Sequence, residues 1–370
     1  MLLLRAEGTY LRSDSAASFL VVPAEQSQFE LSPVAAHIVD AVGSPSTSAE
    51  VCARLTAHFD VSLEECSEAV ETFVRELVQM GVVEEIDERA SGEGGLRRPY
   101  LDLLKRALVN LIYPEDAMRI EAARAGELEG DRHGDMRRLR DIRYRNPEAY
   151  RTLVDAKHHG DMADRMPAAR LTHTMIGLGG LDNLERCAAR VFADGVEGDF
   201  LEAGVCHGGA SIFLRALQVA HGEHGRRTWV ADTFAGVPAP TDPVDEGLDL
   251  TEDAVPWMAA TLEAVQDNFR IYRLLSDNVV FLRGLFQDTL PDAPVERLAI
   301  LRIDADLYSS TRDVLTVLYD RVSPGGFVIV DDYGALPQCR QAVDEFVQER
   351  ALDIDLRWVD WTRVCWRKTE

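Results

Sequence analysis

Two apolar runs that each stop at aspartate constrain the fold of this chain most. Residues 298–303 run into Asp304, and residues 326–330 run into the adjacent pair Asp331-Asp332. Runs of this length, rich in Ile, Leu and Val, read as buried parallel strands. Acids where such strands stop lie at the carboxyl edge of the sheet, where open α/β sheets bind ligands. Three clustered carboxylates repel one another unless a cation or a proton intervenes. A hard divalent ion such as Mg²⁺ offsets that repulsion. The alternative is three separate solvated loop acids.

The surrounding pattern agrees with an α/β fold. Between 172 and 370, strand-like runs at 199–203, 227–232, 279–283, 298–304, 327–331, 356–361 and 364–367 alternate with helical patterns. That order predicts a doubly wound, mostly parallel sheet, with the last two runs as an antiparallel hairpin at its edge. Residues 1–87 predict a separate small α+β unit. Strand candidates at 1–4, 18–23 and 28–31 precede three short helices, which open at Ser32-Pro33, Thr47-Ser-Ala-Glu50 and Ser62-Leu-Glu-Glu65. Serine before proline, and Ser/Thr followed three residues later by Glu, are helix-start signals. In the third helix Leu63, Cys66, Val70, Phe73, Val74 and Leu77 share one face, a core stripe, and a strand candidate at 82–86 follows. The order resembles a winged helix.

Residues 88–98 read as a polar linker, and 99–171 as a helical, charged lid and oligomerisation segment. Within it, 99–115 predicts one amphipathic helix, and His158-His159 reads as solvated.

Charge narrows the partners. The 370 residues carry a net charge of −24. The unit 1–87 holds four Arg, no Lys and fifteen Asp or Glu, a balance of −11. A phosphate-binding surface needs a basic patch, so nucleic acid and anionic membranes are excluded as partners despite the winged-helix order. No stretch approaches about 20 apolar residues, the length of a membrane span. The N-terminus lacks the basic start and apolar core of a signal peptide. Six scattered cysteines without a Cys-x-x-Cys pair argue against a disulfide framework or a zinc site. The expectation is a cytoplasmic protein.

Residues 200–211, Phe-Leu-Glu-Ala-Gly-Val-Cys-His-Gly-Gly-Ala-Ser, form a Gly-rich strand-to-helix turn. Gly204 allows a tight turn or close approach of a ligand. The spacing is not G-x-G-x-x-G, no Lys follows, and Glu202 puts an anion at the mouth. That suits a ligand with an ammonium group better than a pyrophosphate, and S-adenosylmethionine has one, plus a carboxylate and a sulfonium. Asp232, ending the second strand, either accepts hydrogen bonds from two ribose hydroxyls or caps the next helix. Gly284-Leu-Phe286 either lies along an adenine face or packs in the core. His207 and His173 flank the proposed pocket, each as a base titrating near neutrality or as a packing residue.

From residue 99 to 368 the chain resembles the macrocin O-methyltransferase (TylF-type) family. The resemblance rests on residues 100–116 (Tyr100 to Asp116), Thr172-His-Thr-Met-Ile-Gly177, the 200–211 turn, Trp229-Val-Ala-Asp-Thr-Phe234, Phe286-Gln-Asp-Thr-Leu-Pro291, Asp304-Ala-Asp-Leu-Tyr-Ser-Ser-Thr311 and Val330-Asp-Asp-Tyr-Gly334. It implies a Rossmann-like class I methyltransferase fold. It also implies S-adenosylmethionine bound by Thr174, Met175, Glu202, Gly204, Ser211, Asp232, Gly284 and Phe286, and Mg²⁺ held by Asp304, Asp331 and Asp332. The implied reaction is O-methylation, typically of a sugar hydroxyl on a natural product. For the proton acceptor, Asp304 is the first candidate, besides being a ligand, and His207 the second. Two positions depart from the family pattern: Cys206-His207 stands for Trp-Arg, and Ser309 for Glu. Both border the pocket, so the resemblance does not carry the acceptor's identity.

Residues 1–87 resemble PqqD-like domains, which hold leader peptides of ribosomally made, modified peptides. The support is the order of elements and residues 31–40, Leu-Ser-Pro-Val-Ala-Ala-His-Ile-Val-Asp. An extended peptide would add along the strand near 28–31, against helix 62–80. The expectation is therefore a fusion, in dimeric form, that methylates a hydroxyl of a recruited peptide. The alternatives are a sugar O-methyltransferase acting on a glycosylated small molecule, with 1–87 serving in dimerisation, and a non-catalytic peptide-binding adaptor.

Overall fold

The computed structural model describes residues 2–5, 9–13, 18–22, 27–42, 47–59, 61–80, 82–86, 97–126, 130, 132–159 and 172–369. The N-terminal part contains β1 (Leu2–Arg5), β2 (Tyr10–Ser13), β3 (Ser18–Val22), β4 (Ser27–Leu31), α1 (Pro33–Ala41), α2 (Ser48–His58), α3 (Leu63–Gln79) and β5 (Val83–Ile86). β2, β3 and β4 form an antiparallel meander, and β1 pairs antiparallel with β5. Strand β2 was not expected. Tyr-Leu-Arg-Ser has too little apolar character to stand out, and its pairing with β3 makes it a strand. Ser32 caps α1, its Oγ accepting from the Ala35 N–H at 3.2 Å. Cys66, Val70, Val74 and Leu77 of α3 are buried with Leu3, Leu20, Val39, Val51 and Leu55 in one small core. The expected start of the 88–98 linker and the helix stops at Gly43 and Gly81 lie outside the described residues.

The next stretch is helical: α4 (Arg97–Leu108), α5 (Glu115–Arg124), α6 (Arg132–Arg140), α7 (Ile142–Arg145) and α8 (Pro147–His159). The single helix expected over 99–115 is corrected here. α4 begins two residues earlier, inside the expected linker, and stops at Leu108, where Asn110 turns to φ 54°. α4 is held by a buried lysine: Lys105 pairs with Asp182 and Glu185. His158 is half-buried rather than solvated, because α8 packs on the following helix.

That helix is α9 (Gly177–Ala193). Then come β6 (Asp199–Ala203), α10 (Gly209–Ala220), β7 (Thr228–Asp232), α11 (Leu262–Ile271), β8 (Val279–Arg283), α12 (Phe286–Thr289), β9 (Leu298–Ile303), α13 (Tyr308–Leu318), β10 (Val322–Val330), α14 (Pro337–Glu349), β11 (Arg357–Trp358) and β12 (Val364–Arg367). The seven-stranded sheet runs β11-β12-β10-β9-β6-β7-β8. β8, β7, β6, β9 and β10 are parallel, while β12 is antiparallel to both β10 and β11. Alternating side chains feed two cores. Phe200 and Ile300 pack with α9 and α10 on one face, and Leu201, Leu301 and Ile303 with α13 and α14 on the other. The chain leaves β6 toward β7 and later returns to β9 on the opposite side. That reversal opens a crevice at the carboxyl ends of β6 and β9. No helix among the described residues is long and apolar enough to cross a membrane.

Candidate active site

Register brings the acids together. Ile303 is paired with both Ala203 and Val330 in the parallel ladders, so the next residues, Gly204, Asp304 and Asp331, emerge side by side. Gly204 has φ 85°, and a Cβ there would lie 1.7 Å from the Asp304 carbonyl oxygen. Its close approach is therefore to the chain itself. Gly209 is pinned in the same way: its N–H donates to His173 O at 2.8 Å, and a Cβ would lie 2.2 Å from that oxygen. This contact docks segment 172–176 against the first turn of α10.

Oxygen atoms of Asp304, Asp331 and Asp332 lie within 4.8 Å of one another. Sequence reasoning missed what lies beneath them. Arg302, 1% exposed, donates through Nη1 to Glu202 (2.6 Å) and Asp304 (2.8 Å), and through Nη2 to Asp331 (2.6 Å). Arg363 Nε adds 2.9 Å to Asp331, and its Nη1 pairs with Asp360. The signal was available: a lone arginine inside an apolar buried strand has to be paired.

The cations do not offset all the acids. Burial raises Asp331, but Arg302 and Arg363 outweigh that and hold it below the usual carboxylate range. Asp304 is raised by burial and by Asp331, against Arg302. Burial, then the neighbouring carboxylates, push Asp332 and Asp306 well above the usual range. Asp332 Oδ2 is buried with no hydrogen-bond partner. Burial lifts the Glu202 carboxyl to about 7, opposed by Arg302 and by the Ser211 hydroxyl that donates to it.

A cavity of about 370 Å³ opens above this cluster. Among the expected binding residues, Thr174, Met175, Glu202, Gly204, Asp232 and Phe286 line it, as do His207 and the three aspartates. Ser211 and Gly284 do not. Ser211 sits behind Glu202, and the Gly284 N–H donates to Asp232 O at 2.9 Å. The Asp232 carboxylate shapes its own turn, accepting from Val205 N–H (2.7 Å) and Phe234 N–H (2.8 Å). The Thr233 hydroxyl, 3.3 Å from Oδ1, is a third donor to it. His207 Nε2 lies 3.1 Å from Trp257 O, which makes Nε2 the donor and leaves Nδ1 as the acceptor in the neutral ring. His173 Nδ1 meets the Tyr272 hydroxyl at 2.7 Å. Burial, then His207, lower the His173 pKa. Two half-exposed indoles, Trp257 (39%) and Trp361 (42%), border the cavity.

Comparison with known proteins shows the family. The profile of the macrocin-O-methyltransferase (TylF) family matches residues 97–368, and that of coenzyme PQQ synthesis protein D (PqqD) matches residues 18–83. The chain is 43% identical over 274 residues to the 8-demethyl-8-(2,3-dimethoxy-alpha-L-rhamnosyl)-tetracenomycin-C 4'-O-methyltransferase of Streptomyces olivaceus, covering 73% of this chain and 92% of that protein. It is 40% identical over 275 residues to the mycinamicin III 3''-O-methyltransferase of Micromonospora griseorubida, covering 73% of this chain and 96% of that protein. The solved structure of the O-methyltransferase NovP superposes with a TM-score of 0.60 at 37% identity, over 74% of this chain and all of that one. A seven-stranded class I sheet, an acid cluster at its switch point and these relatives converge: the chain belongs to the macrocin-O-methyltransferase (TylF) family and carries a PqqD domain ahead of it.

Proposed function

We propose that this protein is an S-adenosylmethionine-dependent, Mg²⁺-assisted O-methyltransferase of natural-product biosynthesis, and that its PqqD domain recruits a ribosomally made precursor peptide carrying the acceptor hydroxyl. The observation that carries the chemistry is the convergence of Asp304, Asp331 and Asp332. The residues present fit a hard dication. The donors are all carboxylate oxygens, Asp332 Oδ2 is buried without a partner, and Arg302 and Arg363 leave negative charge over. When bound, S-adenosylmethionine supplies the methyl group from its sulfonium, and a dication held by Asp304, Asp331 and Asp332 supplies the Lewis acidity that eases ionisation of an acceptor hydroxyl.

The chain's own groups bind, orient and take up the proton. Glu202 faces the cavity with Arg302 and Ser211 fixing its carboxylate, placed to accept from a ligand ammonium. Asp232, on the cavity wall, is the proposed partner of a ribose diol. Asp304 and His207 are the proton acceptors proposed from sequence. His207 has the freer site, because Asp304 already accepts from Arg302 while the imidazole Nδ1 of the assigned tautomer is an open acceptor. Asp306 joins them: it lines the cavity, and no hydrogen-bond donor among the described residues reaches it. Holding both reactants in line accounts for much of the remaining acceleration. Two neighbouring hydroxyls would chelate best, so a 1,2-diol or catechol is the expected acceptor.

For recruitment, β4 is one of the two outer strands of its three-stranded sheet, with α1 beside it. An outer strand offers free backbone groups to an extended peptide. A second reading is favoured by the relatives' names, which place methylation at the 4'-O position of a rhamnosyl-tetracenomycin and the 3''-O position of mycinamicin III. Calorimetry of the full chain against synthetic leader peptides encoded near its gene separates the two. Saturable binding, lost on Phe29→Asp, supports peptide recruitment. Absence of binding, with methylation of a free glycoside, supports the sugar.

A further inference from the structure

The connection from β7 to α11 spans residues 233–261 and lines the cavity through Val237, Pro238, Thr241, Trp257 and Met258. It also carries a fully buried acid, Asp245, that does not itself line the cavity. The carboxylate reaches the first turn of α13. Oδ1 accepts from Tyr308 N–H at 2.7 Å, and Oδ2 accepts from Ser309 N–H at 3.2 Å and from the Ser309 hydroxyl at 3.1 Å. The N-cap position of α13 is Leu307, which has no polar side chain. The free N–H groups at that helix start are therefore satisfied by an acid from the cover rather than by a neighbour in sequence. Asp245 is itself held in a one-turn 3₁₀ helix, in which Asp242 accepts from Val244 N–H at 2.9 Å and from Asp245 N–H at 3.0 Å.

The turn that leads into α13 carries Asp304 and Asp306. Arg302 holds its start through Asp304. Asp306 lies at φ 56°, a left-handed conformation that Asp adopts more readily than most residues and that turns the chain into α13. Leu307 N–H closes on Ala305 O at 2.6 Å, and the next two N–H groups are those bound by Asp245. One carboxylate thus joins the cover of the cavity to the far end of the acid-bearing turn.

We infer that Asp245 is a positioning residue that fastens the 233–261 cover to the Asp304–Leu307 turn, so that closing the cavity and aiming its acids are one event. The contacts stand independently of the methyltransferase reading; the consequence for cofactor binding rests on it. Two arms test it on the full chain. In limited proteolysis with a Glu-specific protease, Asp245→Ala raises cleavage after the exposed Glu246 and Glu252 at least tenfold relative to Glu349 in α14, and Asp245→Asn, which keeps one acceptor oxygen, falls between Ala and wild type. In calorimetry, Asp245→Ala weakens S-adenosylhomocysteine binding at least fivefold, and the Asn variant recovers part of the loss. Equal rises at Glu246, Glu252 and Glu349 would mean general loosening and overturn the inference, as would unchanged cleavage. Unchanged affinity for S-adenosylhomocysteine in an Ala variant with an opened cover would equally overturn the coupling. Wild type that fails to bind S-adenosylhomocysteine would sink the methyltransferase reading, while the proteolysis arm still decides the contact.

Discussion

Among the described residues, Arg302 is the one cation shared by Glu202, Asp304 and Asp331. Removing one member of a buried, hydrogen-bonded ion network leaves uncompensated charge, at a cost of about 3–5 kcal/mol. Arg302→Met is therefore expected to lower stability by that amount in chemical denaturation, whereas Glu202→Gln, which keeps an acceptor for Ser211, costs less. A shift below about 1 kcal/mol in Arg302→Met would mean that the acids are protonated or solvated rather than paired. The three aspartates were legible because each ends an apolar run, and strand ends at a parallel sheet's carboxyl edge share one crevice. Arg302 is hidden in the sequence by the apolar residues around it, which dominate the strand pattern. Asp306 was passed over beside Asp304. Asp245 could not be read at all: nothing local marks an acid in an irregular loop as the cap of a helix far along the chain.

Among the elements, α4 and α8 are set by buried lysines that hydropathy alone would place in solvent. Lys105 reaches Asp182 and Glu185 on α9, and Lys157 of α8 donates to Val109 O at 3.0 Å beyond the end of α4. Burial pushes the Lys157 pKa down from 10.5 to about 8. The folded state then holds fewer protons than the unfolded chain between those values, so this residue's contribution to stability rises with pH, by at most about 1.4 kcal/mol per pH unit. Lys157→Met is expected to be more stable than wild type at pH 7, with the difference shrinking as pH rises from 8 toward 10. A gain that does not change with pH would contradict a buried titrating amine. The sequence indicated a run for every strand of the main sheet, although β10 begins at Val322, five residues before the run at 327–331, and β11 keeps only Arg357–Trp358 of the run at 356–361. Helix limits between 97 and 159 were harder, since these helices are short, charged and paired through residues such as Lys105 that carry no periodic signal.

At the scale of the whole molecule, relatives covering 92% and 96% of their own length align with 73% of this chain. The methyltransferase part therefore corresponds to nearly whole proteins elsewhere. It also begins with its own anchor, Arg97 Nη1 at 3.2 Å from His221 Nδ1. Deleting residues 1–87 is expected to leave S-adenosylhomocysteine affinity within about twofold while abolishing leader-peptide binding; calorimetry reads both. The two-part organisation was legible from the change in composition across 87–98, whereas the acceptor was not, because cavity walls such as Trp257 and Trp361 come from irregular segments that sequence periodicity does not reach. The most direct measurement is a calorimetric titration of Mg²⁺ into EDTA-treated full-length protein. The account predicts one site, lost in Asp332→Asn, whose replaced oxygen is the buried one without a partner. Absence of binding in wild type, or the same binding in Asp332→Asn, would contradict it.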